Sequence, residues 1–138
     1  MTPRHFRSLL VVAVTLGLVG GFVDVAFPQL VPQAFVAAQE QQDNSEASWL
    51  VFIVGAFAIL AGLTGVVSWV GLYTFRSWAP RLALASTALA FWVLPFTAVV
   101  AQSAVAATLV ELSTLLWGVV LALAYHSSIA TKFGKSVA

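Results

Sequence analysis

Residues 48–75 read SWLVFIVGAFAILAGLTGVVSWVGLYTF, without one charged side chain. A helix rises about 1.5 Å per residue, so this run is long enough to cross a hydrocarbon core of roughly 30 Å. In lipid the backbone has no water to bond to, and a single segment satisfies its own N–H and C=O groups only as a helix. The run is also far longer than the roughly 9–11 residues of a transmembrane strand. Three more apolar stretches of similar kind occur, at about 8–27, 81–100 and 105–125, each bounded by polar or charged residues. The expected fold is therefore all-α: one membrane domain over residues 1–138, built as an antiparallel bundle of four transmembrane helices.

Composition agrees. Hydrophobic residues make up 61% of the chain and charged residues 8%, and the mean hydropathy is +0.99. A water-soluble domain of this size could not carry such a surface. The net charge of +1 gives no argument for a nucleic-acid partner. The absence of cysteine removes disulfides, thiolate metal sites and thiol redox chemistry.

The positions of the charges orient the helices. Arg4 and Arg7 precede the first stretch, Arg76 and Arg81 flank the turn between the second and third, and Lys132 and Lys135 follow the fourth. The segment between the first two stretches, QEQQDNSEAS at 39–48, carries Glu40, Asp43 and Glu46 and no base. Because basic residues near helix ends stay on the cytoplasmic side, both termini are expected inside and the acidic loop outside. A cleaved leader is the rival reading of the first stretch, but Asp24 interrupts its apolar core and Pro28 and Pro32 precede the small residues at 36–38.

The outer loop, 28–47, begins with those prolines and continues with apolar residues at Val31, Ala34, Phe35 and Ala38. This spacing predicts a short amphipathic helix lying in the interface, as a plug over the bundle end or else as a lid or a docking surface. Within the membrane, Pro95 removes one backbone donor from the third stretch and predicts a kink.

Small residues let helices approach closely in lipid. Gly17 and Gly21 form a G-x-x-x-G pair, Gly55, Ala58, Gly62 and Gly65 form a stripe, and Thr114, Gly118 and Ala122 form another. All are expected to pack the bundle's own helices, with a homo-oligomer as the open alternative.

Two carboxylates fall inside the apolar stretches. Asp24 stands near the outer end of the first, where it reads as an interfacial acid. Glu111 stands deep in the fourth, with no Lys, Arg or His at comparable depth. An unpaired ionised acid there costs about 2.5 kcal/mol or more, so it must be protonated, hydrogen-bonded or wet. Thr108 and Thr114, three residues before and after, share its helical face, which is expected to point into the protein. The candidate polar site is thus Glu111 with Thr108 and Thr114.

Nothing in the sequence announces catalysis. His5 and His126 sit at the basic end, away from Glu111, and no metal-ligand cluster, nucleophile motif or phosphate-binding glycine loop occurs. No cofactor or metal is expected. The five tryptophans read as interface anchors and packing residues.

Two segments in the second half of the chain, Phe75-Arg76-Ser77-Trp78-Ala79 leading into Leu82-Ala83-Leu84, and Leu116-Trp117-Gly118 leading into Leu121-Ala122-Leu123-Ala124-Tyr125, carry a resemblance. They resemble bacterial four-helix inner-membrane proteins with an F-R-x-W-A turn before the third helix. The resemblance implies a bacterial inner membrane and brings no activity with it. Small multidrug exporters are a poorer match, since their essential acid lies deep in the first helix, where this chain has only Asp24.

Plentiful packing faces beside a single deep acid point to a non-catalytic interaction protein. It would be an accessory, assembly or immunity-type subunit that meets lipid and a larger membrane or envelope protein. The alternative is a small proton-coupled transporter or channel with Glu111 in its pathway, and an enzyme acting on lipid comes third.

Overall fold

A computed structural model describes residues 2–33, 37, 48–93 and 102–134. Among these the chain is all-helical, with four α-helices: α1 (Pro3–Ala26), α2 (Ser48–Tyr73), α3 (Ala79–Val93) and α4 (Ala104–His126). Short 3-10 turns follow α1 at Pro28–Leu30 and α4 at Ala130–Phe133. Pro3–Ala26, Phe52–Tyr73 and Ala104–His126 are each long and apolar enough to cross a membrane. The described part of α3 has 15 residues, about 22 Å of helix, which is short of a full span. The expected kink at Pro95, the interfacial helix of the outer loop, and Glu40, Asp43 and Glu46 lie outside the described residues.

Local chemistry sets the helix ends. α1 begins ahead of the apolar stretch because Thr2 caps it, its hydroxyl accepting from the His5 N–H at 3.4 Å, with Pro3 at the first position, where a missing donor costs nothing. The helix ends at Ala26 with Phe27 as its C-cap, immediately ahead of Pro28, which has no N–H to continue the ladder. α4 starts on Ser103, whose Oγ accepts from the Ala106 N–H at 3.1 Å.

The end of α2 is less ordinary. Arg76 N–H donates to the Gly71 carbonyl and Phe75 N–H to the Leu72 carbonyl, the paired bonds of a Schellman close. That close needs a left-handed residue, and here it is Phe75, with φ 56°, instead of glycine. The cost is on the order of 1–2 kcal/mol. Its compensation is visible in the packing: the Phe75 ring lies 5.7 Å from Phe6 and 5.3 Å from Phe133, between the start of α1 and the turn after α4.

The helices pair antiparallel in two sets. α1 runs against α4: Phe6 meets Phe133, Ser113 Oγ donates to the Ala13 carbonyl at 2.7 Å, and Asp24 meets Ser103. α2 runs against α3, with Gly71 beside Ala79 near the turn and Phe57 edge-on to Trp92 at 5.6 Å. The two pairs join at the end that carries the basic residues. There Phe6, Leu10, Leu72, Ala83, Val120 and Phe133 form one buried core. Arg7 reinforces that junction. Its Nε–H donates to the Tyr73 carbonyl at 3.1 Å, and its guanidinium lies 4.9 Å from the Tyr73 ring and 5.1 Å from that of Phe75. A carbonyl orphaned at the end of α2 is thereby satisfied by a cation, the favourable sign at a helix C-terminus.

Farther from this end a polar contact joins the pairs, from the Trp117 indole N–H to Thr87 Oγ1 at 2.9 Å. Thr87→Val keeps the shape of the acceptor and removes the bond. It is expected to cost about 0.5–1.5 kcal/mol, read as a lowered melting temperature in mild detergent.

Candidate functional site

The inward face of α4 is set by Ser103, Ala106, Val110, Ser113, Trp117, Val120 and Ala124, which are buried or half-buried. Glu111 is on the other side. Where the sequence places this acid inside the bundle, the structure puts it on the exposed surface of α4. The physical reason is that small and hydroxyl residues beside an acid suit a contact between molecules as well as one within a molecule. The pattern marks a packing face without saying whose.

That face is regular. Ala104, Thr108, Glu111, Leu115, Gly118 and Ala122 are all exposed and follow one another at alternating steps of four and three, the spacing of a left-handed helix–helix seam. Leu115, at its centre, is 69% exposed, and a Cβ added at Gly118 would meet nothing within 4 Å. Glu111 is seven residues from the start of α4, about 10 Å along the axis. It makes no hydrogen bond or ion pair among the described residues. The flanking hydroxyls donate within their own helix, Thr108 Oγ1 to the Ala104 carbonyl at 2.8 Å and Thr114 Oγ1 to the Val110 carbonyl at 2.9 Å. They leave lone pairs, not donors, on the surface beside the acid.

The expected packing stripes divide. Gly17 lies against Ser113, where a Cβ would come within 2.7 Å of Oγ. Its closest companion is Gly20 instead of Gly21: a Cβ on Gly20 would meet Val110 Cγ2 at 2.9 Å and Leu109 Cβ at 3.0 Å, whereas Gly21 faces open space. Gly55, Gly62 and Gly65 also have nothing within 4 Å of an added Cβ, and Ala58 is exposed. No close helix contact is thus made at the glycines of the α2 stripe among the described residues. Gly71, singled out by no motif, is the residue that lets α2 close on the next turn, with Trp78 and Ala79 at 2.7 Å from its would-be Cβ.

The acid that sequence reading set aside has the most developed surroundings. Asp24 Oδ2 accepts from the Ser103 N–H at 2.9 Å and Oδ1 from the Ser103 hydroxyl at 2.5 Å. The carboxylate of α1 thus caps the N-terminus of α4, where the helix dipole favours a negative charge. A short polar residue with a serine at the start of another helix was the only cue, and it says nothing about which helices meet.

Between α2, α3 and α4 lies a cavity of about 390 Å³, lined by Ala61, Gly65, Ala90, Phe91 and Val110 and by Ser86, Thr87, Ser113, Thr114 and Trp117. Ser86, Thr87, Ser113 and Thr114 each donate to a backbone carbonyl. Glu111 does not line it.

No protein-family model matches the chain, and neither a curated protein nor a solved structure shows significant similarity to it.

Proposed function

We propose that this is a non-catalytic interaction protein of a bacterial inner membrane, with both termini cytoplasmic, whose outer α4 seam docks a transmembrane helix of a larger partner. The observation that carries the reading is Glu111: an acid at membrane depth, exposed and unpartnered, in the middle of a regular seam of small and apolar residues. A charge left toward lipid is costly, and a protonated carboxyl there still offers a donor and an acceptor. A second helix with an amide or hydroxyl at the same depth meets both demands. The seam supplies the close approach, and the acid supplies register and choice of partner.

The orientation follows from the basic end. Arg4, Arg7, Arg76, Arg81 and Lys132 belong to helix ends that the aromatic core of Phe6, Phe75 and Phe133 draws together, and such a concentration is retained on the cytoplasmic side. The transport alternative has less support, because Glu111 does not line the cavity, although its neighbours Val110 and Thr114 do.

The test is capture in native membranes. A photo-crosslinking residue at Leu115 is expected to give a discrete adduct with another membrane protein, reduced at least fivefold by Glu111→Leu and partly retained by Glu111→Gln. The same residue at Ala83, which is buried, serves as control. Adducts only with lipid would overturn the reading. So would proton flux into liposomes that disappears in Glu111→Gln.

A further inference from the structure

At the basic end a second hollow, of about 260 Å³, lies where the α2–α3 turn meets the 3-10 turn after α4, lined by Ser77, Trp78, Arg81, Phe133 and Gly134. We propose that it is a binding site for a phosphate-bearing anion, with the guanidinium of Arg81 as its main ligand.

Three observations converge. Arg81 is exposed and has no hydrogen bond or ion pair among the described residues, unlike Arg7, which is spent on the Tyr73 carbonyl and two rings. Its planar fork of donors matches two phosphate oxygens, as a lysine would not. Among the described residues no acid competes for it: Asp24 is held by Ser103 near the opposite end of the molecule and Glu111 faces outward within α4. The walls offer the remaining donors and an apolar seat. The Ser77 hydroxyl and the Trp78 indole N–H have no partner among the described residues, and the benzenoid edge of Trp78 rests over Gly71. Gly134 closes the hollow with φ 72° and open space beside its Cα.

The phosphate has two possible sources, a lipid headgroup or a soluble phosphate. A tryptophan and an arginine flanking a membrane helix mark headgroup depth, and the lipid arm is the one expected to bind. Because the walls come from both helix pairs, an occupied site ties the α2–α3 turn to the segment after α4, and binding is readable as stability.

The protein purified in mild detergent is to be melted with added phosphatidylglycerol, with phosphatidylcholine, and with inorganic phosphate, and the lipid retained on it measured by native mass spectrometry. Phosphatidylglycerol is expected to raise the melting temperature by several degrees beyond phosphatidylcholine. Arg81→Gln should weaken retention about tenfold or more and abolish that increment, while Arg76→Gln, the same charge change outside the hollow, preserves it. An Arg81-dependent increment from inorganic phosphate alone would make the source soluble and keep the site. Equal increments from the two lipids that survive Arg81→Gln, with none from inorganic phosphate, or equal losses in Arg76→Gln and Arg81→Gln, would overturn it. Should Arg81→Gln fail to fold, Ser77→Ala combined with Trp78→Phe carries the same comparison.

Discussion

Replacing Asp24 with alanine is expected to lower the stability of the folded chain by about 2–4 kcal/mol. The carboxylate accepts two bonds from Ser103, and bonds to a charged group contribute about 1.5–3 kcal/mol each before overlap. Ser103 is buried, so its two donors would be left without an acceptor. Asp24→Asn keeps one carbonyl oxygen and should recover about half of the loss. Thermal or denaturant unfolding in detergent measures this, and the Asp24→Ala, Ser103→Ala cycle should show a coupling of about 1–3 kcal/mol. A cost below about 0.5 kcal/mol, as for a surface residue, would mean that the acid is merely interfacial.

Gly20 and Gly21 are neighbours in sequence and should behave as opposites. At Gly20 the closest atoms include the Val110 backbone nitrogen at 3.1 Å as well as two side-chain carbons. A methyl group can be admitted only if α1 and α4 move apart. Gly20→Ala is expected to cost about 1–3 kcal/mol and Gly20→Val to cost more, since overpacking here has backbone on one side and cannot relax by a rotamer change. Gly21→Ala meets open space. It should be neutral or stabilising by up to about 1 kcal/mol, the difference in helix propensity. A set of melting curves for the three variants decides the matter, and equal behaviour at the two positions would contradict the α1–α4 packing.

These two sites show what a single sequence discloses. The three long helices are legible because apolar length alone fixes them, but the start of α1 is not: the apolar stretch begins near residue 8, whereas the Thr2 cap and Pro3 carry the helix out to Pro3. Which face of a helix turns inward is another matter. The G-x-x-x-G spacing draws attention to Gly17 and Gly21, yet the chain packs through Gly17 and Gly20, because the partner's Leu109 and Val110 decide the angle of approach. Small residues occur on several sides of every helix, so periodicity cannot choose among them. The acids mislead for a related reason. Depth in the apolar stretch singles out Glu111, whereas partnership belongs to Asp24, and partnership depends on α1 meeting α4 across the whole length of the sequence. Phe75 escapes reading entirely, since a helix close of that kind normally announces itself with glycine.

The pairing of α1 with α4 also has a consequence in time. Roughly 80 residues separate Ala26 from Ala104, and at about 5–20 residues per second the ribosome needs on the order of 4–16 s to make them. The α2–α3 hairpin, whose partners are sequence neighbours, can assemble during that interval. The first helix cannot: Asp24 waits without Ser103, and Gly20 without Val110. Biogenesis therefore includes a stage in which the opening segment is already threaded and still single, and its carboxylate needs an interim host at the translocation machinery or the bilayer surface. Slowing synthesis between the second and fourth helices would lengthen that exposure, with premature degradation as its measurable sign.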